Sequence, residues 1–112
     1  MILIIREPAT KEQINQMAEV FDGVLIKLAV DVQRKIIAGG GTLHADCEQA
    51  LLEDGSQQDD IWGADWYPTL KKVGFESLIN IRPRQKNLSL EIQDLALRAE
   101  IETITRSLLE VN

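Results

Sequence analysis

Val24-Leu25-Ile26-Lys27-Leu28-Ala29-Val30-Asp31-Val32, continued at residues 33–41 by Gln-Arg-Lys-Ile-Ile-Ala-Gly-Gly-Gly, is the stretch on which the fold turns. Read as a strand, it puts Val24, Ile26, Leu28, Val30 and Val32 on one face and Leu25, Lys27, Ala29 and Asp31 on the other. Leu25, Leu28, Ala29, Val32 and Ile36 also satisfy a helical stripe. The β-branched content and the break at Gly39-Gly40-Gly41 decide for strands. A second arm over Lys35–Ala38 then pairs back, although Gln33-Arg34 lacks the Asn-Gly or Asp-Gly that two-residue hairpins prefer.

The flanks follow from this choice. Towards the N-terminus, Ile2–Ile5 is a short apolar run suited to a strand buried on both faces, ending at Arg6-Glu7-Pro8. Thr10 with Gln13 forms a capping box, and Ile14, Met17, Ala18 and Phe21 make the stripe of a helix that stops at Asp22-Gly23. Beyond the glycines, Leu43, Cys47, Ala50 and Leu51 share a helical face, with Asp46 as a cap and an end near Asp54-Gly55. Alternation through Leu43, Ala45, Cys47 and Leu51 fits a strand nearly as well, but Ala, Glu, Gln and Leu favour the helix.

Ser56–Asp60 reads as a polar loop, and Ile61–Tyr67 and Lys72–Arg82 read as strands flanking Pro68-Thr69, with Phe75, Ile79 and Ile81 facing the core and Pro83 ending the second. Leu88–Ile92 is short and extended. Asp94 caps a last helix with the stripe Leu97, Ile101, Ile104 and Leu108. The expected architecture is a single α+β domain over 1–112: a mainly antiparallel sheet with about three helices packed on one face.

Size and composition agree. At 112 residues, 45% hydrophobic and 27% charged, the chain suits one globular domain and neither disorder nor a fibrous repeat. The lone Cys47 allows no internal disulfide and points to the cytosol. The opening apolar run is too short for a signal peptide, and no stretch approaches a membrane span. A net charge of −6 argues against a generic phosphate-backbone binder, so nucleic acid is an unlikely partner. Between Ile36 and Leu70 no Lys or Arg occurs, while Asp46, Glu48, Glu53, Asp54, Asp59, Asp60 and Asp65 supply seven acids; Lys71, Lys72, Arg82, Arg84 and Lys86 follow, answered only by Glu76.

Three constellations could carry chemistry. Leu43-His44-Ala45-Asp46-Cys47-Glu48 gathers an imidazole, a thiol and two carboxylates, which suits acid–base work. With no second His or Cys a structural zinc site is not expected. The plainer roles are a loop-end imidazole for His44 and a small buried hydrophobe for Cys47. If the strand runs straight through Pro83, Asn80, Arg82 and Arg84 project from one face as an anion clamp. The competing role for the arginines is internal pairing with Asp46, Glu48 or Asp65. Ile61-Trp62-Gly63-Ala64-Asp65-Trp66-Tyr67-Pro68 concentrates three of the five aromatics, with Trp62 and Trp66 on one face: either a stacking wall or core. Gly-x-Gly-x-x-Gly, Walker and Gly-x-Ser-x-Gly motifs are missing, and the triple glycine reads as a flexible loop.

The segments 39–46 (Gly-Gly-Gly-Thr-Leu-His-Ala-Asp), 51–58 (Leu-Leu-Glu-Asp-Gly-Ser-Gln-Gln), 61–68 and 75–85 (Phe-Glu-Ser-Leu-Ile-Asn-Ile-Arg-Pro-Arg-Gln) resemble a family of short bacterial, including cyanobacterial, proteins catalogued only as a domain of unknown function. The resemblance covers nearly the whole chain and implies that the three constellations belong together. It implies no activity or cofactor. The residues themselves favour a small, self-associating module that binds a ligand or a protein through a cleft built from His44, Asp46, Trp62, Trp66, Asn80, Arg82 and Arg84. Leu25, Ala29 and Leu78, left on the sheet's outer face, favour a second chain there. One alternative is a small enzyme for a phosphorylated or carboxylated metabolite, with His44 as a base oriented by Asp46 or Glu48. A weaker one is an RNA-binding or toxin–antitoxin-like protein using Arg82–Lys86.

Overall fold

The computed structural model describes residues 1–111. Five strands, β1 (Leu3–Ile5), β2 (Ile26–Asp31), β3 (Ile36–Gly39), β4 (Ile61–Tyr67) and β5 (Lys72–Gly74), form one sheet in the order β1-β3-β2-β4-β5, every pair antiparallel. Three helices, α1 (Lys11–Ala18), α2 (His44–Glu53) and α3 (Leu95–Leu109), complete the α+β domain.

The deciding stretch is a hairpin. Its turn works without Asn-Gly because Asp31 supplies the chemistry: its backbone carbonyl accepts from the Lys35 amide, and its Oδ1 accepts from the amides of Gln33 and Arg34, each at 2.9 Å. Lys35 takes the left-handed conformation, φ 58°, that an Asn or Gly would otherwise provide. The expected capping box at Thr10 and Gln13 is present on both sides, and Asp94 caps α3 through the amides of Ala96 and Leu97.

Strand alternation sorts the core into two clusters. Ile26, Leu28, Val30, Ile37, Trp62, Ala64 and Trp66 face α1 and α3, meeting Ile14, Met17, Ile101 and Leu108. Ala29, Ile36, Ala38 and Ile61 face the other way and pack on Cys47 and Leu51 of α2. The helices therefore cover both faces, where the sequence suggested one. Ala29, expected on an open outer face, is fully buried under α2, and Leu25 is half-buried; of the three only Leu78 is exposed, outside the sheet.

Three local expectations are corrected. The α2 helix starts at His44, so Asp46 lies in its first turn, and the N-cap position falls to Leu43, which has no capping side chain. The triple glycine is buried, not a flexible loop: a Cβ on Gly40, which sits at φ 102°, would strike the Met1 carbonyl. The largest departure is at Lys72–Arg82, where strand geometry stops at Gly74 and the chain continues through 3-10 turns at Leu78–Asn80 and Pro83–Gln85. Phe75 is buried as expected, Ile79 only partly, and Ile81 is 46% exposed.

Candidate functional site

The cause of that departure lies on β4. Since β5 pairs only with Asp65–Tyr67, the outer edge of Ile61–Gly63 has no strand partner. Side chains take that place. Asn80, fully buried, accepts from the Gly63 amide at 2.8 Å and donates to the Gly63 carbonyl at 3.0 Å, reproducing what a neighbouring strand would offer. Its amide also donates to the carbonyls of Phe75 and Leu90. Asn87, also buried, donates to the carbonyls of Asn80, Ser89 and Glu91 and accepts from the Gln93 amide. Two amides thus hold the whole 75–93 segment against the sheet.

Arg82 completes the seal. Its Nη2 donates to the Ile61 carbonyl at 2.6 Å and to Glu48 Oε2 at 3.1 Å; Nη1 reaches the Gln58 carbonyl and Gln85 Oε1; Nε reaches the Ile79 carbonyl. The guanidinium also lies 4.9 Å from the centre of the Trp62 ring. Burial pushes its pKa down, opposed only in part by Glu48 and Asp59. The internal-pairing reading holds for Arg82, with Glu48 as the carboxylate. Arg84 is exposed and, among the described residues, has no ion-pair partner. Asn80, Arg82 and Arg84 therefore do not project from one strand face: the first is core, the second structural and the third free.

His44 leads α2 and turns its ring onto β4. Nε2 lies 2.9 Å from Asp65 Oδ1 and 3.1 Å from the Ala64 carbonyl. Both partners only accept, so Nε2 carries the proton and Nδ1 remains the unoccupied ring nitrogen. The two side chains are 12% and 14% exposed. The carboxylate that orients the imidazole is Asp65, not Asp46, which is exposed, nor Glu48, which Arg82 holds. Sequence proximity concealed the partner that strand register provides.

Around His44 lies a hollow of about 350 Å³, with Leu43, Leu78, Ile79 and Leu90 as its apolar wall and Lys27, Ser77 and Glu76 as its other polar groups. Leu43, Leu78 and Leu90, from three separate segments, are 56%, 77% and 42% exposed. Leu78 and Ile79 separate this hollow from a second, lined by Glu48, Asp59, Ile81, Arg82 and Arg84. The imidazole and the guanidiniums are neighbours without sharing a floor. The indoles lie elsewhere: Trp62 and Trp66, 4% and 1% exposed, belong to the core on the opposite face of the sheet.

Cys47 is fully buried beneath the Lys27 carbonyl, and burial pushes its thiol pKa up, away from a nucleophile's range. Among the described residues no group of His, Cys, Asp and Glu has the composition and proximity to hold a metal ion, and no helix is long and apolar enough to cross a membrane. A further network runs from the core to the surface: buried Asp31 accepts from Ser56 Oγ, Ser56 accepts from Arg34, and at the exposed end Arg34 and Arg6 both grip Asp54.

No curated protein and no solved structure matches the chain. Residues 3–108 match the family model described as "Protein of unknown function (DUF5674)", and since this covers nearly the whole chain, the protein belongs to that family.

Proposed function

We propose that the protein is a small binding module whose hollow beside His44 takes a ligand with an apolar body and an anionic end. The carrying observation is the convergence of Leu43, Leu78, Ile79 and Leu90 on one hollow with the imidazole of His44 and the side chain of Lys27, whose ammonium lies 5.2 Å from the centre of the Phe21 ring. An apolar wall with a few convergent polar groups is the general form of a small-molecule site. The aliphatic side chains exclude water from the ligand's body, and Lys27 offers a cation to a carboxylate, while the unprotonated Nδ1 of His44 accepts from a donor group on the ligand. Glu76 at the same rim disfavours a second negative charge. Arg82, already saturated and lining the neighbouring hollow, is not the clamp.

Thermal denaturation with branched and aromatic carboxylates, against the matching alcohols and amides, tests this. A carboxylate at about ten times its Kd should stabilise by about 1.4 kcal/mol, roughly 5 °C for a domain of this size. Lys27→Met and Leu78→Glu should each remove the response. Equal stabilisation by alcohols and carboxylates, or an undiminished response in both variants, contradicts the reading.

One observation favours a second reading. The 2.9 Å contact that fixes the His44 ring on Asp65 also suits a general base. Turnover of a bound ligand, lost in His44→Ala and reduced in Asp65→Asn, distinguishes this from binding alone.

A further inference from the structure

The two edges of the sheet are finished differently. β5 is three residues long, begins with Lys72, and is covered where it starts: Arg106 donates to the Lys71 carbonyl and the Lys71 ammonium to the Val111 carbonyl. Such charges and covers are how proteins keep an edge strand from pairing with another chain. β1 is equally short but carries no charged residue of its own. Residues 1–5 contain no charged side chain and no proline, and Met1 is 73% exposed.

The ladder shows which groups of β1 are open. Gly40 donates to the Lys27 carbonyl, and Val32 donates to the Asp60 carbonyl. Hydrogen-bonded pairs alternate along antiparallel strands, so Ala38 turns its amide and carbonyl to β2, while Ile37 and Gly39 turn theirs to β1. Their partners Ile5 and Leu3 are thereby satisfied. Ile4 points its amide and carbonyl the other way, where the described residues contain no further strand. The side chains are unfinished too. Leu3 lies partly buried at the margin of the α1/α3 cluster, and Ile2 and Ile4 lie partly buried at the margin of the α2 cluster.

We propose that β1 pairs antiparallel with β1 of a second copy across a two-fold axis at Ile4, joining the two sheets into one of ten strands. In that register Ile4 exchanges both backbone hydrogen bonds with the partner's Ile4, and Ile2 meets the partner's Arg6. Leu3 lies beside the partner's Ile5. Apolar side chains then meet on both faces, and both core clusters continue across the junction. A second copy fits because the strip is self-complementary: the two-fold axis sets Ile4 on Ile4 and Leu3 beside Ile5, and Arg6 at its end already has Asp54 of its own chain as a counter-charge, so apolar contacts meet without an unpaired cation between them. This pairing is independent of the hollow beside His44.

The test uses analytical ultracentrifugation and amide hydrogen exchange on the intact protein. The wild type should sediment as a dimer, with the Ile4 amide protected although it faces outward from its own sheet. Ile2→Lys places a cation opposite the partner's Arg6 at two symmetric contacts and should weaken association about tenfold. Ile2→Glu places an anion there and should retain the dimer. A monomer with a freely exchanging Ile4 amide overturns the proposal, as does a dimer indifferent to Ile2→Lys or one lost equally in Ile2→Glu. Exchange at Ile4 in the wild type decides the matter even if a variant folds poorly.

Discussion

Asn80 shows how one residue replaces an element. Its carboxamide offers Gly63 an acceptor and a donor together, the pair of groups that β5 would have supplied had it run further. Truncation to alanine strands the amide and carbonyl of Gly63 in the core. Since each buried unsatisfied group costs about 1–3 kcal/mol, Asn80→Ala should lower stability by about 2–4 kcal/mol in urea unfolding. A loss below about 1 kcal/mol would mean that the edge is closed by something else. Arg82 and Arg84, two positions apart, should respond oppositely. Arg82→Ala leaves the Ile61 carbonyl and Glu48 without their cation and should cost about 2–3 kcal/mol, whereas Arg84→Ala, at an exposed and unpaired site, should stay within about 0.5 kcal/mol. Gly63 is bound to the same device: a Cβ there would lie 2.5 Å from Ser77 Cβ, so Gly63→Ala should also destabilise.

Among the elements, those with a local cause were legible and those with a remote one were not. α1 and α3 announce themselves through Thr10, Gln13, Asp94 and a regular apolar stripe, all within a few residues of the structure they fix. The segment after Gly74 misleads because its alternation is real but unused. Ile79 and Ile81 look like core and Asn80 like surface, yet the edge of β4, seventeen residues from Asn80, draws the amide inward and leaves Ile81 at the surface. His44 was legible as a candidate, but its partner Asp65 comes from β4, which no spacing within 43–48 could reveal. The end of α2 carries a pH response of its own. Arg6 and Arg34 hold the Asp54 carboxyl below its ordinary range. A carboxylate with a depressed native pKa stabilises the fold above its unfolded value, near pH 4, and this contribution fades as pH falls through the native value. Asp54→Asn should therefore flatten the loss of stability below about pH 4 while lowering stability at pH 7; an unchanged acid limb in unfolding curves would contradict the pairing.

For the whole molecule, the sheet separates two kinds of residue that the sequence placed together. The indoles and the α1/α3 core lie on one face, and α2 with His44 lies on the other. The 75–93 segment wraps the β4 edge, so its apolar residues Leu78, Ile79 and Leu90 reach the hollow while Arg82 stays in the seam. In the function proposed above, the His44 side of this seam binds while the Arg82 side holds the structure together. Backbone amide shifts in a nitrogen-15 NMR titration with isovalerate test this division most directly. Saturable changes at Leu43–Ala45, Lys27 and Glu76–Ile79 are the predicted result; changes confined to Asp59 and Arg84–Gln85, leaving the His44 hollow undisturbed, would contradict it.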